Sequence, residues 1–145
     1  MTHLEKMNIY LSNLAVLNNK LHNLHWNVVG KRFMQIHNFT EELYDDFFEK
    51  YDEVAEILKM KEEMPFVKME DYLNHSTIDE LDAKDFSSQE VLEIVQEDLK
   101  TMKELATEIR NQADEADDFE VVGEFEEHVE GYSKNLWFIR AILAE

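Results

Sequence analysis

Residues 39–58, FTEELYDDFFEKYDEVAEIL, decide how the chain folds. At about 100° per residue, Phe39, Leu43, Phe47, Val54, Ile57 and Leu58 fall in one apolar arc, which Ile36 joins from upstream. The opposite half is nearly all acid: Glu41, Glu42, Asp45, Asp46, Glu49, Asp52, Glu53 and Glu56. That pattern predicts an amphipathic helix over about 34–61, which must bury its apolar side against other elements. Lys50 is the only lysine or arginine between Arg32 and Lys59, so the like charges one turn apart, Glu41/Asp45 and Asp52/Glu56, repel unless cations compensate. A merely solvated face would carry interspersed lysines. This one invites cations.

Working outward, the partners of that helix are also helical. Upstream, Tyr10, Leu14, Leu17, Leu21, Leu24 and Val28 recur at steps of four and three, predicting a helix over about 3–29 that Gly30 ends. Downstream, Pro65 in KEEMPF cannot continue the helix. Residues 62–86 are irregular, although VKMEDYLN within them has the makings of a short helix, and a connection this long crosses from one end of a bundle to the other. SSQE then reads as a capping box, with Ser87 as N-cap and Glu90 three residues on. It opens a helix carrying Val91, Val95, Leu99, Met102, Leu105, Ile109 and Ala113. The last helix carries Val122, Phe125, Val129, Tyr132, Leu136, Ile139 and Leu143. The expected fold is all-α: a single domain over 1–145, formed as a ferritin-like four-helix bundle with a short helix in the long crossover between the second and third long helices.

Composition narrows the chemistry. The chain has no cysteine, which excludes disulfides, thiolate metal sites and cysteine nucleophiles. Any metal must be held by histidine and oxygen. With 14 Lys and Arg against 33 Asp and Glu, the net charge of −19 repels nucleic acid and anionic membranes and attracts cations. Neither a signal peptide nor a long apolar run is present, so a soluble, cytoplasmic protein with no membrane partner is expected.

The histidines give the acid face a partner. His37 shares a wedge of about 100° with Glu41, Asp45, Asp52 and Glu56. Asp52 lies fifteen residues beyond His37, about 22 Å along a helix, so one metal ion cannot touch both within one chain. Two chains solve this: antiparallel packing of the helix against its copy, about a two-fold axis near residues 45 and 46, brings His37 of one subunit to Asp52 and Glu56 of the other. His25, one turn before Gly30, can join His37. Two imidazoles with two carboxylates suit iron, zinc, cobalt or manganese. A metal centre inside a single bundle would use Glu-x-x-His motifs, and the sequence contains none.

NLHWNVVGKRFMQIH followed by ELYDDFFEKYDEVAE resembles the signature of the Dps proteins, the miniferritins of starved bacterial cells, and the likeness extends over almost the whole chain to LWFIRAIL. The resemblance implies a hollow twelve-subunit shell with ferroxidase centres at dimer interfaces. There Fe2+ is oxidised, preferentially by hydrogen peroxide, and stored as ferric mineral, which protects the cell from oxidative damage. It implies His25, His37, Asp52 and Glu56 as iron ligands, Glu41 near the second iron, and Trp26 beside the centre as an adjacent electron donor. Zinc or other divalent metals would be able to substitute. Acidic pores through which iron passes correspond to ADEADDFEVVGEF, with Asp114, Asp117, Asp118, Glu120 and Glu124 available, although Phe119 and Gly123 stand where the pattern is often polar or acidic.

DNA-binding members of that family carry a basic terminal tail, reduced here to MTHLEKM, so DNA binding is expected to be weak. Glu124 and His128 have the i,i+4 spacing of a zinc pair, but the sequence offers no obvious third ligand. His22 reads as a polar edge residue. Three functions from different classes follow: an iron-oxidising and iron-storing enzyme, a DNA-coating protein, and a metal-binding bundle without turnover.

Overall fold

A computed structural model describes residues 1–144. Four long helices, α1 (His3–Asn27), α2 (Phe33–Met60), α4 (Ser88–Glu115) and α5 (Phe119–Leu143), form the bundle, and α3 (Met69–His75) lies in the crossover. Local chemistry sets the helix starts. Thr2 Oγ1 accepts from the Glu5 amide at 3.1 Å. At α4, the Glu90 amide donates to Ser87 Oγ and the Ser87 amide to Glu90 Oε1, both at 3.1 Å, completing the expected capping box.

The first helix ends earlier than its apolar spacing suggests. Val28 leaves the helix in extended geometry, and Val28–Val29 form a short strand β1 paired in parallel with β2 (Phe86–Ser87), Val28 opposite Phe86. Gly30, at φ 114°, sits in the left-handed region that favours glycine and reverses the chain. The strand pair gives the freed valine backbone a partner and fixes the end of the crossover beside the α1–α2 turn.

Polar side chains on α1 hold the rest of the crossover. Asn8 donates to the Met64 carbonyl at 3.0 Å and accepts from the Phe66 amide at 2.9 Å. Asn13 accepts from the Thr77 amide at 2.7 Å and from Ser76 Oγ at 2.8 Å. Asn23 donates to the Leu81 carbonyl at 3.2 Å.

Met7, Tyr10, Leu14, Leu24, Ile36, Phe47, Val54, Val91, Leu99, Met102, Phe125, Tyr132 and Ile139 are among the buried residues of one continuous core. The stripe on α5 differs from its sequence reading: Val121 and His128 are buried, whereas Val122, Val129 and Leu143 are only partly covered. His128 enters the core because polar groups are waiting for it. Tyr10 and Tyr132 join through their hydroxyls, and Tyr10 meets His128 Nδ1 at 2.8 Å. Between α2 and α5 runs a groove of about 480 Å³, with Glu42, Asp46, Glu49, Glu53 and Glu127 on its walls. Among the described residues, no helix is long and apolar enough to cross a membrane.

Candidate metal centres

The Gly30 turn folds the last turn of α1 against the start of α2 and lays the rings of His25 and His37 face to face, 3.7 Å between centroids and 12° from parallel. Each histidine is tied to the other's backbone. His25 Nδ1 donates to the His37 carbonyl at 2.6 Å, and His37 Nδ1 donates to the His25 carbonyl at 2.8 Å. A carbonyl only accepts, so both protons sit on Nδ1 and, in the neutral rings, both Nε2 atoms keep a lone pair. Thr40 Oγ1, which donates to the Ile36 carbonyl at 2.8 Å, lies 3.1 Å from His25 Nδ1 as a further acceptor. Burial pushes the His25 pKa below its ordinary value, which keeps the imidazole neutral at neutral pH.

Around this pair, Phe33 stacks on His37 at 4.9 Å, and Glu41 Oε1 lies 3.8 Å from His25 Nε2. His22 is more than an edge residue: its ring stacks on Tyr44 at 3.9 Å, and its Nδ1 donates to the Asn18 carbonyl at 2.6 Å. Trp26, 5.5 Å from His22 between ring centroids, is 67% exposed and therefore does not anchor packing within its own chain.

The acids expected to face these histidines stand apart from them. Asp52 and Glu56 are exposed on α2, and neither meets a cationic partner among the described residues. Fifteen residues separate His37 from Asp52 on an unbroken α2, about 22 Å of helix. A single subunit therefore offers two imidazoles and Glu41 at one place, and Asp52 with Glu56 at another.

A second group lies on the other side of α2. Glu53 meets Glu124 and His128 of α5, with one ligand atom from each falling within 4.8 Å of the others. His128 Nε2 is 2.9 Å from Glu124 Oε1. That hydrogen bond holds the Glu124 carboxyl down at about 2, while the facing Glu124 pushes Glu53 up to about 7. Lys50 is buried nearby and is engaged by Asp46 one turn before it. The third ligand missing from the sequence reading of Glu124 and His128 is thus Glu53. In the sequence it was one acid among eight on its helix, and only the approach of α5 singles it out.

The acids at the α4–α5 turn divide. Asp114 and Asp117 are exposed, Asp114 lying 3.7 Å from Arg110. Asp118 is held inside by His3 at 2.9 Å and Lys61 at 2.8 Å, and Lys61 also meets Glu120 at 2.8 Å. Glu124 is turned to His128.

Such a bundle, with histidines at the first interhelical turn and acids along the second helix, has known counterparts. Residues 4–145 match the ferritin-like domain family, and the chain belongs to it. Within that family it belongs to the Dps miniferritins. It is 30% identical over 129 residues to the DNA protection during starvation protein of Helicobacter pylori, covering 89% of this chain and 90% of that one. It is 32% identical over 138 residues to the protein of the same name from Brevibacillus brevis, covering 94% and 91%. The crystal structure of a Dps protein from Bacillus brevis superposes with a TM-score of 0.93 at 30% identity, covering 97% of this chain and 94% of that one.

Proposed function

We propose that the protein is a ferroxidase that takes Fe2+ and hydrogen peroxide as substrates at centres shared between two subunits and stores the ferric product inside a closed homo-oligomeric shell, a dodecamer. The observation that carries this reading is the reciprocal hold on His25 and His37, which leaves both Nε2 lone pairs available while the Nδ1 atoms are fixed on carbonyls. Metal-binding histidines are oriented by their second nitrogen in this way. Asp52 and Glu56 of the two-fold partner complete the set, with Glu41 beside His25. Phe48, 65% exposed on α2 next to the proposed two-fold midpoint, gives the partner helix apolar surface to cover.

Imidazole and carboxylate oxygen suit iron in both oxidation states, and the anionic carboxylates favour the more highly charged Fe3+. Two Fe2+ ions each give up one electron, the peroxide O–O bond breaks, and two protons complete two waters, so no hydroxyl radical is released. Trp26, exposed beside the centre, is placed to yield an electron to a stray oxidant. Asp114 and Asp117 are the exposed acids best suited to an iron pore, with Asp118 and Glu124 committed to partners in their own chain. The protein acts in the cytoplasm and protects against oxidative damage through iron chemistry. At a charge of −19 per chain, DNA contacts are weak at physiological salt.

The test is anaerobic loading with Fe2+ followed by peroxide, read as ferric absorbance. Wild type should oxidise iron far faster than buffer, with His25→Ala and Asp52→Ala each losing most of that rate. Wild-type oxidation at the buffer rate would refute the reading, and elution at dimer size would refute the shell.

A further inference from the structure

Glu53, Glu124 and His128 are not part of the shared centre, and one subunit supplies all three. His128 is 3% exposed and held from behind: Tyr10 Oη lies 2.8 Å from its Nδ1 and is joined in turn to the hydroxyl of Tyr132. Its Nε2 points at Glu124, 2.9 Å away. The Glu53 carboxyl approaches from the side of α2, so that one ligand atom from each of Glu53, Glu124 and His128 lies within 4.8 Å of the others. Two carboxylates this close repel each other, and a cation held between them relieves that repulsion.

The tyrosine hydroxyl makes this arrangement adaptable. A hydroxyl both donates and accepts, so Tyr10 can donate to Nδ1 when the imidazole proton is on Nε2, or accept from Nδ1–H when it is not. His128 can therefore free its Nε2 lone pair without leaving a buried nitrogen unpaired. His25, tied to a carbonyl, has its tautomer fixed; His128 can change tautomer in place.

We propose that Glu53, Glu124 and His128 form a second metal site, complete within each subunit, that binds a divalent first-row transition-metal ion. One imidazole and two carboxylates suit Zn2+, Co2+ or Fe2+, and three protein ligands leave coordination positions for water. The groove between α2 and α5, with Glu42, Asp46, Glu49 and Glu127 along it, supplies an acidic approach on which a cation concentrates. The site does not depend on the ferroxidase reading, because it shares no ligand with the two-subunit centre.

The probe is Co2+ alone, added anaerobically to the assembled Asp52→Ala, Glu56→Ala protein, in which the shared centre is disabled. One tight Co2+ per subunit should remain, and anomalous diffraction at the cobalt edge should put it within about 2.0–2.2 Å of all three ligand atoms. Glu53→Gln alters an exposed position and should keep the fold and the shell. Loss of a supporting residue already costs about 10–100-fold in metal affinity, so loss of this ligand should weaken Co2+ by at least about tenfold. His128→Gln should abolish the site. Unchanged Co2+ affinity in a folded Glu53→Gln protein, or cobalt density absent from the cluster, would overturn the proposal. Neither result bears on iron oxidation at the shared centre, which is measured separately in the protein with Asp52 and Glu56 intact, so the two readings fail separately.

Discussion

Asp52 and Glu53 are neighbours in the chain and belong to different chemistry. One residue of α-helix turns the side chain by about 100°. That rotation leaves Asp52 exposed with no cationic partner among the described residues and carries Glu53 to Glu124 and His128 of its own chain. The histidines repeat the contrast. His25 and His128 are both buried, but His25 is oriented by a backbone carbonyl and His128 by the hydroxyl of Tyr10. On one side of α2, then, are two imidazoles with their geometry fixed and with Asp52 and Glu56 of the same chain out of reach. On the other, one imidazole and two carboxylates already meet within the chain. A metal centre built on the first would be conditional on assembly, whereas one built on the second would belong to the subunit.

The contrast breaks most visibly in a mixing experiment. Subunits carrying His25→Ala with His37→Ala, and subunits carrying Asp52→Ala with Glu56→Ala, should each be inactive as pure assemblies. Dissociated together and reassembled, half of the dimers are mixed and each mixed dimer holds one intact centre, so about a quarter of wild-type peroxide-driven iron oxidation should return. A centre built within one subunit would return none.

Removal of the hydroxyl that orients His128 comes next. Tyr10→Phe leaves His128 Nδ1 and the Tyr132 hydroxyl buried without their shared partner, at a cost of about 1–3 kcal/mol. The thermal midpoint should fall by about 2–4 °C for each kcal/mol. Iron oxidation at the shared centre should be unaffected. A fall in that rate with no fall in midpoint would mean that the two sides of α2 are not independent.

The smallest effect concerns an acid that, unlike Asp52, has cations from its own chain. Burial alone would raise the Asp118 pKa, but the ion pair with Lys61 and the hydrogen bond with His3 outweigh it and hold the carboxyl below the usual range. A group depressed in the folded state stabilises above its unfolded value near 3.8 and loses that contribution as pH falls through its folded value. Asp118→Asn should therefore cost at most about 1 kcal/mol at pH 7, with the difference closing below about pH 4. Thermal melts of both proteins between pH 3 and 7 measure this.

Much of the fold is legible in the sequence because each signal is local. The capping box at Ser87, the stop at Pro65 and the four-and-three spacing on α1 depend on residues within a turn or two of one another. The α5 stripe is legible only in part for the same reason: Phe125, Tyr132, Leu136 and Ile139 are buried and Val122, Val129 and Leu143 pack against the core, but nothing local marks His128 as buried. Val129 outranks His128 on apolarity alone, and what reverses the order is a pair of tyrosines, one of them on a distant helix. The pairing of Val28–Val29 with Phe86–Ser87 was equally hidden, since two residues of strand carry no periodicity.

The sequence alone determined four amphipathic helices, a crossover, an acid face on α2 and two histidines bracketing Gly30, because helix period and backbone breakers act over a few residues. It also determined that Asp52 lies too far from His37 to share a metal ion with it in one chain, since helical rise is fixed. Only the tertiary structure decided which nitrogen each histidine presents, because the carbonyls and hydroxyls that choose it come from other turns and other helices. Only the tertiary structure separated Glu53 from the seven acids around it, because that distinction is made by α5, which arrives from the far end of the chain.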